Sequence, residues 1–84
     1  MISRVMRVNG DYGIHLETAC EILEIATNVD CVLFAKKGDG EKLQMKSPIM
    51  MVALGAKRGD DVEFSVLGEE HTSMRVLSEI SRIV

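Results

Sequence analysis

A turn near the middle of the chain constrains the fold more than any other feature. Lys36-Lys37-Gly38-Asp39-Gly40 separates Cys31-Val32-Leu33-Phe34-Ala35, rich in β-branched and aromatic residues, from a second extended run, Glu41 to Met45. Gly-containing turn chemistry between two such runs reads as a β-hairpin. A hairpin makes its strands antiparallel, whereas parallel neighbours need a crossover of about a dozen residues or more. An all-parallel sheet is therefore excluded before any other element is placed.

The flanking segments supply the rest of the framework. Ile2 to Val8 carries Met6 and Val8 on one face with Arg7 between them, which suits a half-buried strand. Asn9-Gly10-Asp11-Tyr12-Gly13 is turn chemistry. From Leu16 to about Asn28, Ala19, Ile22, Leu23 and Ala26 recur at three- and four-residue spacing and form one apolar helical face. A short helix is expected over Ser47 to Leu54, with Ser47 as N-cap, Pro48 as first helical residue and Gly55 as terminator. After the Gly59-Asp60-Asp61 turn, Val62-Glu63-Phe64-Ser65-Val66 alternates as a strand should. Gly68 ends it, and Glu69 to Val84 reads as a last helix with Met74, Leu77, Ile80 and Val84 inward. Strand, helix, hairpin, helix, strand, helix predicts four strands with helices on one face, a two-layer α+β sandwich. Residues 1–84 form one domain.

Composition narrows the function. With 46% hydrophobic and 27% charged residues the chain reads as globular. No apolar run approaches the roughly 18 residues that span a bilayer, and no signal-peptide pattern opens the chain. A net charge of −3 without a basic cluster argues against nucleic acid as a partner. Cys20, Cys31, His15 and His71 show no metal-ligand spacing, so neither metal nor cofactor is expected, and two cysteines without a disulfide framework suit a cytoplasmic location.

Two helix starts carry the chemical interest. In Gly13-Ile14-His15-Leu16-Glu17-Thr18-Ala19-Cys20 a histidine stands where a helix begins. An imidazole nitrogen is nucleophilic near neutral pH, and the free N–H groups of a helix start favour a phosphate. In the second, Lys46-Ser47-Pro48-Ile49-Met50-Met51-Val52-Ala53-Leu54-Gly55, the serine suits an N-cap and equally a phosphorylation site. This helix holds too many apolar residues to bury them all, so part of it is expected to form an exposed docking patch. His15 alone could equally be an inert exposed histidine, and His71 reads as a plain first-turn residue of the last helix.

Together the two runs resemble the HPr family, the histidine-containing phosphocarriers of the phosphoenolpyruvate:sugar phosphotransferase system, and length and element order fit as well. The resemblance implies an open-faced sandwich, β-α-β-β-α-β-α, with a four-stranded antiparallel sheet and three helices on one face. It implies that His15 accepts a phosphoryl group from a donor kinase and passes it to a sugar-permease component, so that the chain is a phosphorylated carrier rather than a standalone catalyst. It also implies that Ser47 is a regulatory phosphoserine read by a serine kinase or a transcriptional regulator. By the same resemblance Leu16, Cys20 and Glu24 of the first helix join Pro48, Ile49 and Val52 as the partner-binding surface around His15. Cys20 taken alone reads more simply as a small buried hydrophobe.

The chain departs from the family's motif beside the histidine. Where the family has Arg-Pro, two and three positions after the histidine, Glu17 and Thr18 stand here. Arginine would attract a phosphoryl group, and Glu17 repels it. At about 6 Å a unit charge pair contributes roughly 0.7 kcal/mol in water and roughly 3 kcal/mol at an intermediate dielectric. Against a phosphoryl charge of about −2, the reversal costs on the order of 1–4 kcal/mol. Glu17, Glu21 and Glu24 share one helix face that is typically basic in the family. Pro48 and Met50 replace the family's usual Ile and Gly after Ser47. These departures support an alternative, a divergent regulatory or binding module with little or no phosphotransfer.

Overall fold

The structure, a computed structural model, describes residues Met1–Val84. In chain order the elements are β1 (Ile2–Arg7), α1 (Leu16–Thr27), β2 (Val32–Lys37), β3 (Leu43–Gln44), α2 (Pro48–Ala53), β4 (Asp61–Leu67) and α3 (Glu70–Ile83). The strands form one antiparallel sheet in the order β1-β4-β2-β3, with the three helices as a second layer. The last strand in sequence thus enters the middle of the sheet. This agrees with its composition, since Val62, Phe64 and Val66 are fully buried.

Period-two alternation decides which face is covered. Met6 of β1 is level with Val62, and Leu33 and Ala35 of β2 are level with Val66 and Phe64; all of them are buried. Ala19, Ile22 and Ala26 of α1 and Ser73, Val76, Leu77 and Ile80 of α3 close this layer. The opposite face is open. Val5 and Leu67 are exposed there, whereas Ser65 of the central strand is buried, its hydroxyl 2.7 Å from that of Ser3 and Phe34 level with it on the neighbouring strand.

Two expectations need correction. Met74 is not inward but about half exposed, and Ser73 and Val76 occupy the covered face instead. At 100° per residue, Met74 lies roughly 100° from the centre of the face formed by Ser73, Val76, Leu77, Ile80 and Val84. The second hairpin strand is shorter than Glu41 to Met45, with ladder pairing only at Leu43 and Gln44. β2 runs on to Lys37 because Lys36 and Lys37 pair with Glu63 and Val62 of β4, and Gly40 then closes a tight turn onto the Lys37 carbonyl. Glu41 and Lys42 are therefore spent in the loop.

Helix boundaries follow local chemistry. Ser47 caps α2 by accepting from the Met50 amide at 3.4 Å, a long contact, and Pro48 opens the helix. The other end is tied down by the Lys37 ammonium, which donates to the Gly55 carbonyl at 3.2 Å and suits the negative end of the helix. Glu69 caps α3, accepting from the Thr72 amide at 2.8 Å and its hydroxyl at 2.9 Å. Those bonds hold its carboxyl below the usual glutamate range.

Candidate functional site

His15 is the N-cap of α1, with extended backbone (φ −102°, ψ −179°), and its side chain is exposed. Its carbonyl accepts the first helical bond from the Ala19 amide at 2.8 Å. The amides of Leu16, Glu17 and Thr18 have no carbonyl one turn earlier to bond and no side-chain cap. The helix start therefore presents unpartnered donors beside an exposed imidazole.

The segment leading into His15 is fixed from behind. Gly13 has φ +68°, and a Cβ there would lie 2.3 Å from the Ala56 carbonyl oxygen and 3.0 Å from the Lys57 Cα. Only glycine permits this approach, and it lets the Ile14 amide donate to the Ala56 carbonyl at 3.0 Å. Ile14 is buried beneath the site. On the other side of the turn, the Val84 carbonyl accepts from the amides of Asn9 and Gly10 at 2.7 and 3.0 Å. Arg58 donates to Asp11 at 2.9 Å across the surface. Asp60 accepts from the Lys57 amide at 2.9 Å and faces the Lys37 ammonium at 3.7 Å, which with that backbone bond as the main cause lowers its pKa.

Two contacts orient the imidazole itself. Nε2 lies 3.0 Å from the Thr18 hydroxyl oxygen. The Tyr12 ring meets the imidazole edge to face, with centroids 6.4 Å apart and planes at 82°. Sequence reasoning named Thr18 only as a departure from a motif and Tyr12 only as part of a turn. Both stand three residues from His15, a spacing that brings side chains together across one helical turn for Thr18.

The other expected site residues fall into separate groups. The start of α2 packs against the second half of α1, where Cys20, Leu23, Glu24, Thr27 and Asn28 share a shallow groove with Met45, Lys46 and Pro48. Ser47 stands between two of these residues, Lys46 and Pro48, without lining the groove itself. The chain just past α2 touches the segment leading into His15, where the Ala56 carbonyl accepts from the Ile14 amide. Leu16 and Ile49 are exposed apolar side chains, Val52 is half-buried, and Met51 alone in α2 is fully buried. Cys20 is exposed rather than buried, because the covered stripe of α1 passes through Ala19, Ile22 and Ala26 and leaves it on the flank. Glu17, Glu21 and Glu24 are all exposed and form no ion pair. Glu21 and Glu24 line a second cleft with Glu79 over Ile25, Val29 and Ile83.

Comparison with known proteins fits this geometry. Residues 2–84 match the PTS-HPr family model, described as the PTS HPr component phosphorylation site. Among solved structures, a phosphocarrier protein HPr from Bacillus anthracis str. Ames superposes with a TM-score of 0.82 at 18% identity, covering 99% of this chain and 95% of its own. HPr-C-His from Thermoanaerobacter tengcongensis gives 0.80 at 19% identity, with 98% and 92% covered. The histidine-containing phosphocarrier protein of a mycoplasma gives 0.79 at 13% identity, with 98% and 90% covered. At these identities the superpositions establish the fold. No curated protein sequence matches the chain. No helix is long and apolar enough to cross a membrane.

Proposed function

This chain belongs to the PTS-HPr family and is a phosphocarrier of the phosphotransferase system, and we propose that His15 is the residue that carries the phosphoryl group. The observation that supports this most is an exposed imidazole at a helix start whose first amides are unpartnered. A ring nitrogen attacks the donor's phosphorus, and the same helix start then holds the phosphoryl oxygens by its N–H groups and dipole. Carrying requires access from solvent twice, once to load and once to discharge, and the exposure of His15 supplies it.

We assign loading to a donor kinase and discharge to a sugar-permease component, in the cytoplasm, where free Cys20 and Cys31 suit reducing conditions. Leu16, Cys20, Glu24, Pro48, Ile49 and Val52 form the docking surface in this reading. Apolar Leu16 and Ile49 are its exposed anchors, and acidic Glu17, Glu21 and Glu24 call for partners with neutral or basic rims. Ser47, at the start of α2 beside the groove, is the regulatory position for a serine kinase and a transcriptional regulator. A phosphate there changes the charge of the docking surface.

The test is a round trip. Protein loaded by a family donor kinase and phosphoenolpyruvate acquires acid-labile label, and a sugar-permease component removes it. His15→Ala acquires none, and Ser47→Ala behaves as wild type. Full folding with no label on the wild type would leave a binding module, the reading that Glu17 favours.

A further inference from the structure

We infer that Thr18 is a positioning residue for His15, its hydroxyl oxygen accepting the Nε2 hydrogen so that the lone pair is left on Nδ1. The inference rests on His15 being the phosphoacceptor. Its basis is the 3.0 Å contact between Thr18 Oγ1 and Nε2, with no protein partner on Nδ1. A hydroxyl both donates and accepts, so distance alone does not fix the tautomer. The surroundings do. By connectivity Nδ1 is the ring nitrogen nearer the histidine's own backbone, where the amides of Leu16, Glu17 and Thr18 are unpartnered donors. An imidazole beside the positive end of a helix is favoured with a free lone pair, and Nδ1 is the ring nitrogen that no protein group engages. The hydrogen then belongs on Nε2, and Thr18 accepts it. The threonine keeps its own hydrogen for water or for a carbonyl one turn back, as threonines in helices commonly do.

This gives Thr18 a task in the transfer. Attack by Nδ1 forms the phosphorus–nitrogen bond as the bond from phosphorus to the donor's leaving atom breaks, and that atom keeps the electron pair. The hydrogen stays on Nε2 and the ring becomes cationic. The contact to Thr18 thereby turns into a charge-assisted hydrogen bond, shorter and stronger than the neutral one. Which ring nitrogen is free is set by the bond the other one makes. In this chain that bond comes from the side chain at the position where the family has proline, which has no hydroxyl.

Nitrogen-15 spectra of the unphosphorylated protein, with the imidazole neutral, read the tautomer directly. The wild type is expected to hold its hydrogen on Nε2. Thr18→Val, nearly the same shape without the hydroxyl, lowers the ratio of that tautomer to the other by roughly 2- to 10-fold, the worth of a partly exposed neutral hydrogen bond. Thr18→Ser restores it, and circular dichroism confirms that all three are folded. A wild-type hydrogen on Nδ1, or an unchanged ratio in folded Thr18→Val, overturns the inference. Phosphoryl uptake on the same samples separates it from the carrier reading. A shifted ratio without uptake at His15 in any variant sustains Thr18 and removes the carrier. Uptake at His15 with an unchanged ratio removes Thr18 and sustains the carrier.

Discussion

Replacing Gly13 by alanine tests how the fold aims the histidine. Two costs add at this position. The left-handed backbone, φ +68°, costs an L-residue roughly 1–2 kcal/mol. The new Cβ would also stand 2.3 Å from the Ala56 carbonyl oxygen, a backbone atom that cannot rotate away. Relieving this overlap means separating the two segments and weakening the 3.0 Å bond from Ile14 to Ala56, worth about 0.5–1.5 kcal/mol. The sum is about 1.5–3.5 kcal/mol. Gly38 provides the internal control, since its φ is +53° and a Cβ there meets nothing within 4 Å. Gly38→Ala therefore has only the backbone cost, about 1–2 kcal/mol. Urea denaturation of the three proteins gives the comparison, with Gly13→Ala the less stable variant by roughly 0.5–1.5 kcal/mol. Phosphoryl uptake should fall in Gly13→Ala and not in Gly38→Ala, because only the former moves the entry to His15. Equal stability losses would refute the argument that close approach to Ala56 fixes that entry.

Three further outcomes follow from individual side chains. Glu17→Arg replaces repulsion by attraction at the phosphorylated ring, and should shift the equilibrium with a donor kinase toward phosphorylated protein by several-fold or more, as quantitative phosphorylation assays would show. Ser47→Ala should lower stability by only about 0.5–1 kcal/mol, since the cap contact is long at 3.4 Å, while Ser47→Asp folds normally and weakens donor-kinase binding by about 1–2 kcal/mol in calorimetric titration. Glu69 has a carboxyl pKa depressed in the folded state, chiefly by the Thr72 amide, so its contribution is present above the ordinary glutamate range and is lost as pH falls through the depressed value. The stability gap between wild type and Glu69→Gln should therefore be full at neutral pH and shrink in acid, as denaturation midpoints across that range would record.

Much of this architecture is legible in the residues because short-range chemistry dictates it. Alternation in Val62 to Val66 and the cap at Ser47 each act over a few residues, and their elements appear where expected, whereas Glu69, read within the last helix, is its cap. Where side-chain periodicity spreads over a wide face, as at Met74, the pattern does not say which edge of the face is covered, and tertiary packing chose Ser73 instead. The entry of β4 between β1 and β2 depends on contacts distant in sequence and leaves no local mark. The same holds within the site. Gly13-Ile14-His15 is readable as a turn entering a helix, but the clamp from Ala56 joins segments more than forty residues apart and leaves no local mark. The Thr18 contact was within reach, since it spans a single helical turn, yet a threonine in place of a proline reads first as a loss. Cys20 was misread because one residue along a helix separates Ala19, fully buried, from an exposed flank.

The central claim is that the phosphoryl group resides on His15. Protein charged from phosphoenolpyruvate through a family donor kinase can be digested under mildly basic conditions, which preserve a phosphorus–nitrogen bond, and sequenced by tandem mass spectrometry. The account predicts one added phosphoryl group on the peptide containing His15, located on that residue and lost on brief acid treatment. A group found on Ser47, on His71 or on no residue of the folded protein would contradict it.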